Sequence, residues 1–229
     1  MRKIALIALL TFPLFTVAGF FPTTVQTSVK SVDANSIKLN SKFPIDGMSG
    51  VVIHAYENGL NAITSRVTQV AADGSTKLIG ADVIHHDELP TIKTPVRAGD
   101  KVIGGYMYNN VLVLAPDADS YAKVTKSYNK KWIHPDLFAL YLSVEGDDKP
   151  NKENLLSFAR KYQVGLIYII RKDADVLMDP ISGKIIAQKS ASQVPTEGQY
   201  PFYMRFGTLK SGWFGSEAKG NYYNTMGSL

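Results

Sequence analysis

The sequence of 229 residues contains no cysteine. This absence excludes disulfide bonds, a thiol nucleophile and a lipid-modified N-terminal cysteine. A chain without disulfides has to be held together by its hydrophobic core. Hydrophobic residues make up 45% of the sequence, with twelve tyrosines and ten phenylalanines among them. We therefore expect a globular protein that needs no covalent cross-link.

Long hydrophobic runs are also missing after the N-terminus, and no later run reaches the about 20 residues that span a bilayer. The N-terminus itself resembles a secretory signal peptide. Arg2 and Lys3 precede an uncharged apolar run over residues 4–17, which ends at the small residues Ala18 and Gly19. The run is short and contains a proline, so we favour cleavage over the alternative of a retained anchor. We expect residues 1–19 to be removed on export and the mature protein to have no transmembrane helix.

Charge is balanced along the chain. The 25 lysines and arginines outnumber the 20 acids by only five, and the two kinds of charge alternate instead of forming a basic stripe. Nucleic-acid-binding proteins usually concentrate their positive charge on one surface. We therefore expect a solvated, mildly basic surface and no nucleic acid partner.

The first half of the mature chain, residues 20–115, has the alternating pattern of β-structure. Short apolar stretches are separated by turn signals such as Asp73-Gly74, which is typical of a hairpin. We predict six strands that form a small barrel or sandwich. They comprise an opening strand that turns at residues 33–35, then residues 51–56, 62–71, 76–83, 101–108 and 111–115.

The pattern changes at Pro116, and residues 116–229 are predicted to be a mixed α/β part. Helices are expected to begin at Pro116-Asp117 and Pro135-Asp136, where proline and an acid suit the first turn, and at Asn151, a good N-cap. A buried strand over residues 163–170 and a hairpin over 176–188 should follow. The predicted fold class is α+β, with helices packed on a smaller sheet and both parts forming one compact body.

The C-terminal stretch is rich in aromatic residues. Exposed aromatics would indicate a binding patch. We favour the alternative that Phe202, Met204 and Phe206 alternate in a closing strand, with Trp213 and Phe214 packed on the core.

Candidate catalytic and metal-binding residues are few. The adjacent His85 and His86 are the only cluster that suits a metal ion, but neighbouring side chains in an extended segment point in opposite directions. The simpler prediction is a polar loop. We expect His54 to be a structural histidine and His134 to lie at a helix start. With no recognised catalytic motif, the sequence predicts a protein that is not an enzyme and has no cofactor. A metal-dependent hydrolase that uses His85 and His86 is the alternative.

Three acids, Glu145, Asp147 and Asp148, lie close together in a polar segment between predicted helices. Their spacing differs from that of an EF-hand loop. At most they suggest a weak cation site.

Several short stretches, taken together and in order, resemble the N-terminal domain family of the plasminogen-binding surface proteins of Helicobacter and its relatives. Their order and spacing cover roughly residues 25–225. The stretches are Lys42-Phe43-Pro44, residues 97–100, residues 109–116, the helix start Asp136-Leu137, residues 163–169, Gly207-Thr208-Leu209 and Trp213-Phe214-Gly215.

The resemblance implies an exported, non-enzymatic envelope protein of a Gram-negative bacterium, in the periplasm or on the outer-membrane surface, that binds host plasminogen. The best-known members carry a lysine-rich tail that ends in lysine, which offers a cation and a carboxylate together to the kringle pockets of plasminogen. This sequence ends at Leu229 without such a tail, so internal lysines such as Lys130 and Lys131 become the candidate contacts. The alternative is a periplasmic structural or accessory protein that has other envelope proteins as partners and does not bind plasminogen.

Overall fold

The computed structural model describes residues 19–80, 83, 88, 92–191, 193–210 and 217–229. Its first element is a closed barrel of six antiparallel strands in the order β1-β2-β5-β4-β3-β6, in which β6 pairs back with β1. In chain order the strands are β1 (Val25–Asp33), β2 (Ser36–Leu39), β3 (Ser49–Ala55), β4 (Asn61–Gln69), β5 (Thr76–Leu78) and β6 (Lys101–Gly104).

The barrel forms because alternate residues of these strands are apolar and point inward. Val29, Ile37, Val52, Val67 and Val102 come from five different strands, and each is at most 2% exposed.

The second element is a five-stranded mixed sheet in the order β11-β10-β9-β7-β8. Strand β7 is parallel to both of its neighbours, whereas β9, β10 and β11 pair antiparallel. The strands are β7 (Asn110–Leu114), β8 (Lys131–Ile133), β9 (Leu166–Ile170), β10 (Ala174–Asp179) and β11 (Lys184–Ser190), and the helices are α1 (Ala118–Ser127), α2 (Pro135–Glu145), α3 (Lys152–Tyr162) and α4 (Tyr222–Ser228). The predicted α+β class, with a barrel before helices and a smaller sheet, is confirmed.

Local capping explains where the helices begin. Asp117 caps α1 by accepting a hydrogen bond from the backbone nitrogen of Ser120 over 2.7 Å. Asn151 and Asn154 form a reciprocal capping box at the start of α3, with bonds of 2.8 and 2.9 Å. The predicted start at Asn151 is therefore confirmed.

The longest helices in the described part of the chain have 11 residues. No helix there is long and apolar enough to cross a bilayer.

The sheet lies between two hydrophobic cores, because alternate residues of each strand face opposite sides. Leu112 and Leu114 of β7 pack in the core that contains α2, α3 and α4. Val111 and Val113 pack in the other core, which also contains barrel residues and Val124 of α1. The barrel and the sheet therefore share buried contacts.

Gly165, the residue before β9, allows the backbone there to lie close to Met107, which precedes β7. Its backbone nitrogen donates a 3.0 Å hydrogen bond to the carbonyl of Asn110. A Cβ atom at this position would lie 2.1 Å from the carbonyl oxygen of Met107. Only a residue without a side chain fits there.

The structure differs from the sequence predictions in several elements. Residues 111–114 of the segment 111–115, which was predicted as the sixth barrel strand, lie in β7, between β9 and β8 of the second sheet. The opening segment supplies two barrel strands instead of one. The predicted closing strand is wrong: Phe202 and Met204 are buried, but they lie in irregular backbone, and Phe206 is 47% exposed. Trp213 and Phe214 lie outside the described residues.

Candidate functional site

The candidate contact Lys130 lies at the end of the short connection from α1 to β8, and the candidate contact Lys131 is the first residue of β8. Helix α1 ends at Ser127 because Tyr128 adopts an extended conformation, with φ −136° and ψ 138°. The chain then reaches the edge strand β8 within three residues. Around this connection lies a group that we call the lysine-aromatic cluster, and its members are Phe20, Phe21, Tyr128, Lys130, Trp132, Tyr168 and Lys189.

Lys130 is turned inward. Its Nζ lies 4.6 Å from the centre of the Phe21 ring and donates a 3.4 Å hydrogen bond to the carbonyl of Tyr108. Burial lowers the pKa of Lys130 below its ordinary value. The ammonium group therefore already has partners within the protein.

Lys131, the next residue, points outward. It is exposed at the start of β8, and its backbone nitrogen donates a 2.8 Å hydrogen bond to the carbonyl of Asn109. Within the described part of the chain its ammonium group has no hydrogen-bond or ion-pair partner. Of these two lysines, Lys131 is the one that an incoming carboxylate can reach.

Lys189 of β11 is the second cation of the cluster, and the sequence predictions did not single it out. Its Nζ lies 4.9 Å from the centre of the Phe20 ring, 3.0 Å from the Tyr128 hydroxyl and 3.3 Å from Oδ2 of Asp175. Burial alone would lower the pKa of Lys189, but the Tyr128 hydrogen bond and the Asp175 charge outweigh burial and raise it. The hairpin of β10 and β11 creates this pair by placing residue 175 opposite residue 189.

Asp175 fixes the positions of Tyr168 and Lys189 in the cluster. It is fully buried, and Oδ2 accepts a 2.7 Å hydrogen bond from the hydroxyl of Tyr168. Burial and this bond to a carboxylate raise the pKa of Tyr168, so the hydroxyl stays protonated and donates at every ordinary pH. The other oxygen, Oδ1, has no partner among the described residues.

The two histidines that fall within the described residues have structural contacts. Nδ1 of His54 lies 2.7 Å from Oδ1 of Asp100, beside a surface cleft of about 720 Å³ that Tyr56 and Arg97 also line. His134 caps α2 by accepting a 3.1 Å hydrogen bond at Nδ1 from the nitrogen of Asp136. Both agree with their predicted structural roles.

The remaining metal candidates are not brought together where the structure describes them. Asp147 accepts a 3.3 Å hydrogen bond from the Asn154 side chain, while Glu145 and Asp148 are exposed. Within the described ranges no group of three histidines, aspartates or glutamates is close enough to hold a metal ion. The candidates His85 and His86 lie outside those ranges.

Comparison with known proteins gives one match. A family model described as plasminogen-binding protein pgbA N-terminal matches residues 24–229. The match covers the barrel, the sheet and all four helices. No curated protein and no solved structure matches the chain.

Proposed function

The chain belongs to the plasminogen-binding protein pgbA N-terminal family, and on that premise we propose that it is an exported, non-enzymatic protein of the cell envelope that binds plasminogen. The match over residues 24–229 is the observation that carries this proposal. The family description concerns binding, which supports a binding role in preference to catalysis.

The contact that we assign to this chain is an exposed lysine side chain, because kringle pockets bind cations. Lys131 suits this role better than Lys130, whose ammonium group lies against Phe21 and the Tyr108 carbonyl. It projects from the edge of the sheet, where a partner can approach without moving the protein backbone. We expect it to pair with an acidic pocket in plasminogen.

The binding experiment uses the protein from residue 20 onward and plasminogen in solution. Lys131→Ala should weaken binding by about tenfold, the loss expected for one charge-assisted contact. The matched control is Lys126→Ala, which removes an exposed lysine from the last turn of α1. If both variants bind like the original protein while a lysine analogue still competes, another lysine makes the contact. If the original protein does not bind, the family function does not extend to this chain.

Location is tested separately on intact cells. The proposed surface position predicts that added protease cuts the protein without damage to the outer membrane. Protection of the protein until the outer membrane is opened would favour the periplasmic accessory role. The N-terminus of the isolated protein is a second readout: if residues 1–19 are still attached, export by the expected route is contradicted.

A further inference from the structure

The segment that precedes the barrel is held by its side chains. Residues 19–23 make no backbone hydrogen bond within the described part of the chain, and pairing with β6 begins only at Val25. We call residues 19–24 the N-terminal strap. A segment without backbone hydrogen bonds can separate from the body at lower cost than a strand of the barrel.

The two phenylalanines of the N-terminal strap account for its attachment. The Phe20 ring lies 5.5 Å from the Tyr168 ring in an edge-to-face arrangement. The Phe21 ring lies 4.9 Å from the ring of Tyr128 and 6.4 Å from that of Trp132, also edge-to-face. These are the favourable geometries for aromatic pairs.

Each phenylalanine also has its own cation. Lys189 lies 4.9 Å from the Phe20 centre and Lys130 lies 4.6 Å from the Phe21 centre. Both distances are within the range of a cation–π attraction. The pocket is therefore complementary to two adjacent aromatic side chains rather than to apolar groups in general.

The pocket is built from elements that do not depend on the N-terminal strap. Tyr168 stands on the central strand β9 and is fixed by Asp175. Tyr128 directly follows the last residue of α1, and it is fixed by Lys189, whose Nζ is 3.0 Å from the Tyr128 hydroxyl. A site whose side chains are positioned by a sheet and by buried hydrogen bonds keeps its shape when its occupant leaves.

We propose that five members of the lysine-aromatic cluster, Tyr128, Lys130, Trp132, Tyr168 and Lys189, form a preformed receptor site for two adjacent aromatic residues. Phe20-Phe21 is the detachable occupant of this site, and the site binds such a pair from another polypeptide when the N-terminal strap is displaced. The proposal is independent of plasminogen binding, which we assign to exposed Lys131.

The first experiment releases the N-terminal strap within the full mature chain by the double substitution Phe20→Ser and Phe21→Ser. A peptide with the sequence of residues 20–26 is then added. The tryptophan fluorescence, to which Trp132 of the cluster contributes, and the heat of binding are recorded. The variant should bind the peptide at least about tenfold more tightly than the original protein, in which the tethered strap competes at a millimolar effective concentration. A control peptide with both phenylalanines replaced by serine should not bind.

The second experiment tests the cations. In the strap-released variant, Lys130→Gln should weaken peptide binding about threefold to thirtyfold, as the loss of a cation–π contact predicts. Lys126→Gln is the matched control and should change nothing, because Lys126 is exposed on α1 outside the cluster. Equal binding by all these variants would overturn the assignment of the site.

Hydrogen exchange of the unmodified protein provides a test that needs no variant. The amides of Phe21 and Thr23 should exchange at least about a hundredfold faster than those of Val25 and Thr27 in β1, because they make no backbone hydrogen bond in the described part of the chain and the strap opens without the barrel. Equal protection of both segments would contradict a detachable strap. Failure of the released variant to bind the peptide at millimolar concentration would contradict the receptor site.

Discussion

The hydroxyl of Tyr108 donates a 2.6 Å hydrogen bond to Oδ2 of Asp179, and this bond connects the end of the barrel to the sheet. Asp179 is fully buried at the end of β10, and the same oxygen accepts a 2.8 Å bond from the backbone nitrogen of Ser49 in β3. The other oxygen accepts bonds from the nitrogens of Ile181 and Ser182. A buried carboxylate is tolerated here because both oxygens have donors.

Tyr108→Phe should destabilise the protein by about 1–3 kcal/mol, because the buried carboxylate of Asp179 loses a donor that water cannot replace. Urea unfolding measures the change. Tyr106→Phe is the control, since the Tyr106 hydroxyl has no hydrogen-bond partner in the described ranges. A loss of equal size in both variants would contradict a specific role for the bond from Tyr108.

Gly165→Ala should destabilise the protein by at least about 2 kcal/mol, because the new Cβ would meet the Met107 backbone and force the segments that lead into β7 and β9 apart. Gly207→Ala is the matched control: no atom lies within 4 Å of a Cβ at Gly207. Thermal or urea unfolding distinguishes the two. Similar stability of both variants would show that the strands can shift to accept a methyl group.

Lys189→Ala should lower the free energy of unfolding by about 1–3 kcal/mol, since the buried Asp175 loses its charged partner. Lys131→Ala should change it by less than about 0.5 kcal/mol, as is usual for an exposed residue. Comparison of the two variants thus distinguishes a lysine that stabilises the fold from one that is available for partner binding. A larger loss of stability in Lys131→Ala than in Lys189→Ala would contradict these assignments.

The ion pair between Asp136 and Arg205 makes the stability of the protein depend on pH in the acidic range. Arg205 donates to the carboxylate from its backbone nitrogen over 2.9 Å and from Nε over 2.5 Å. Burial raises the pKa of Asp136, but these bonds outweigh burial and hold the pKa below its ordinary value of 3.8. A carboxyl with a lower pKa in the folded state stabilises the fold above its unfolded pKa, and that contribution is lost as the pH falls below 3.8.

We therefore expect the urea midpoint of the original protein to fall more steeply below pH 3.8 than that of Asp136→Asn. Nδ1 of His134 lies 3.3 Å from the same carboxylate, and burial lowers the pKa of His134 below 6.5. The loss of stability that accompanies protonation of His134 therefore begins at a higher pH than the loss that accompanies protonation of Asp136. The exposed Asp119 supplies the control, and Asp119→Asn should follow the original protein. Parallel curves for Asp136→Asn and the original protein would exclude this carboxylate as the acid-sensitive group.

The sequence predicted the features of the fold that depend on neighbouring residues. Asn151 caps α3 through Asn154, three residues away, and both are visible as a local pattern. The partners of β7 are not local: its neighbours β8 and β9 follow 17 and 52 residues after its last residue. A short apolar strand has no periodicity that identifies its sheet, so the sequence alone favours the barrel for residues 111–115. Strand β8 and helix α4 were missed because three and seven residues carry a weak pattern.

The candidate site was predictable only as a pair of adjacent lysines. Nothing in Lys130-Lys131 distinguishes one residue from the other in sequence. They differ in the structure because Phe21, more than a hundred residues earlier in the chain, lies over Lys130. Lys189 could be recognised only from the register of β10 and β11, which a bulge shifts by one residue.

The most direct test of the proposed function is equilibrium binding of the protein from residue 20 onward to plasminogen, measured by surface plasmon resonance with and without a lysine analogue. We expect a dissociation constant of about 1 μM or lower, which corresponds to about −8 kcal/mol, and loss of binding when the analogue is present. Absence of binding at micromolar protein, or binding that the analogue does not affect, would contradict the proposed function.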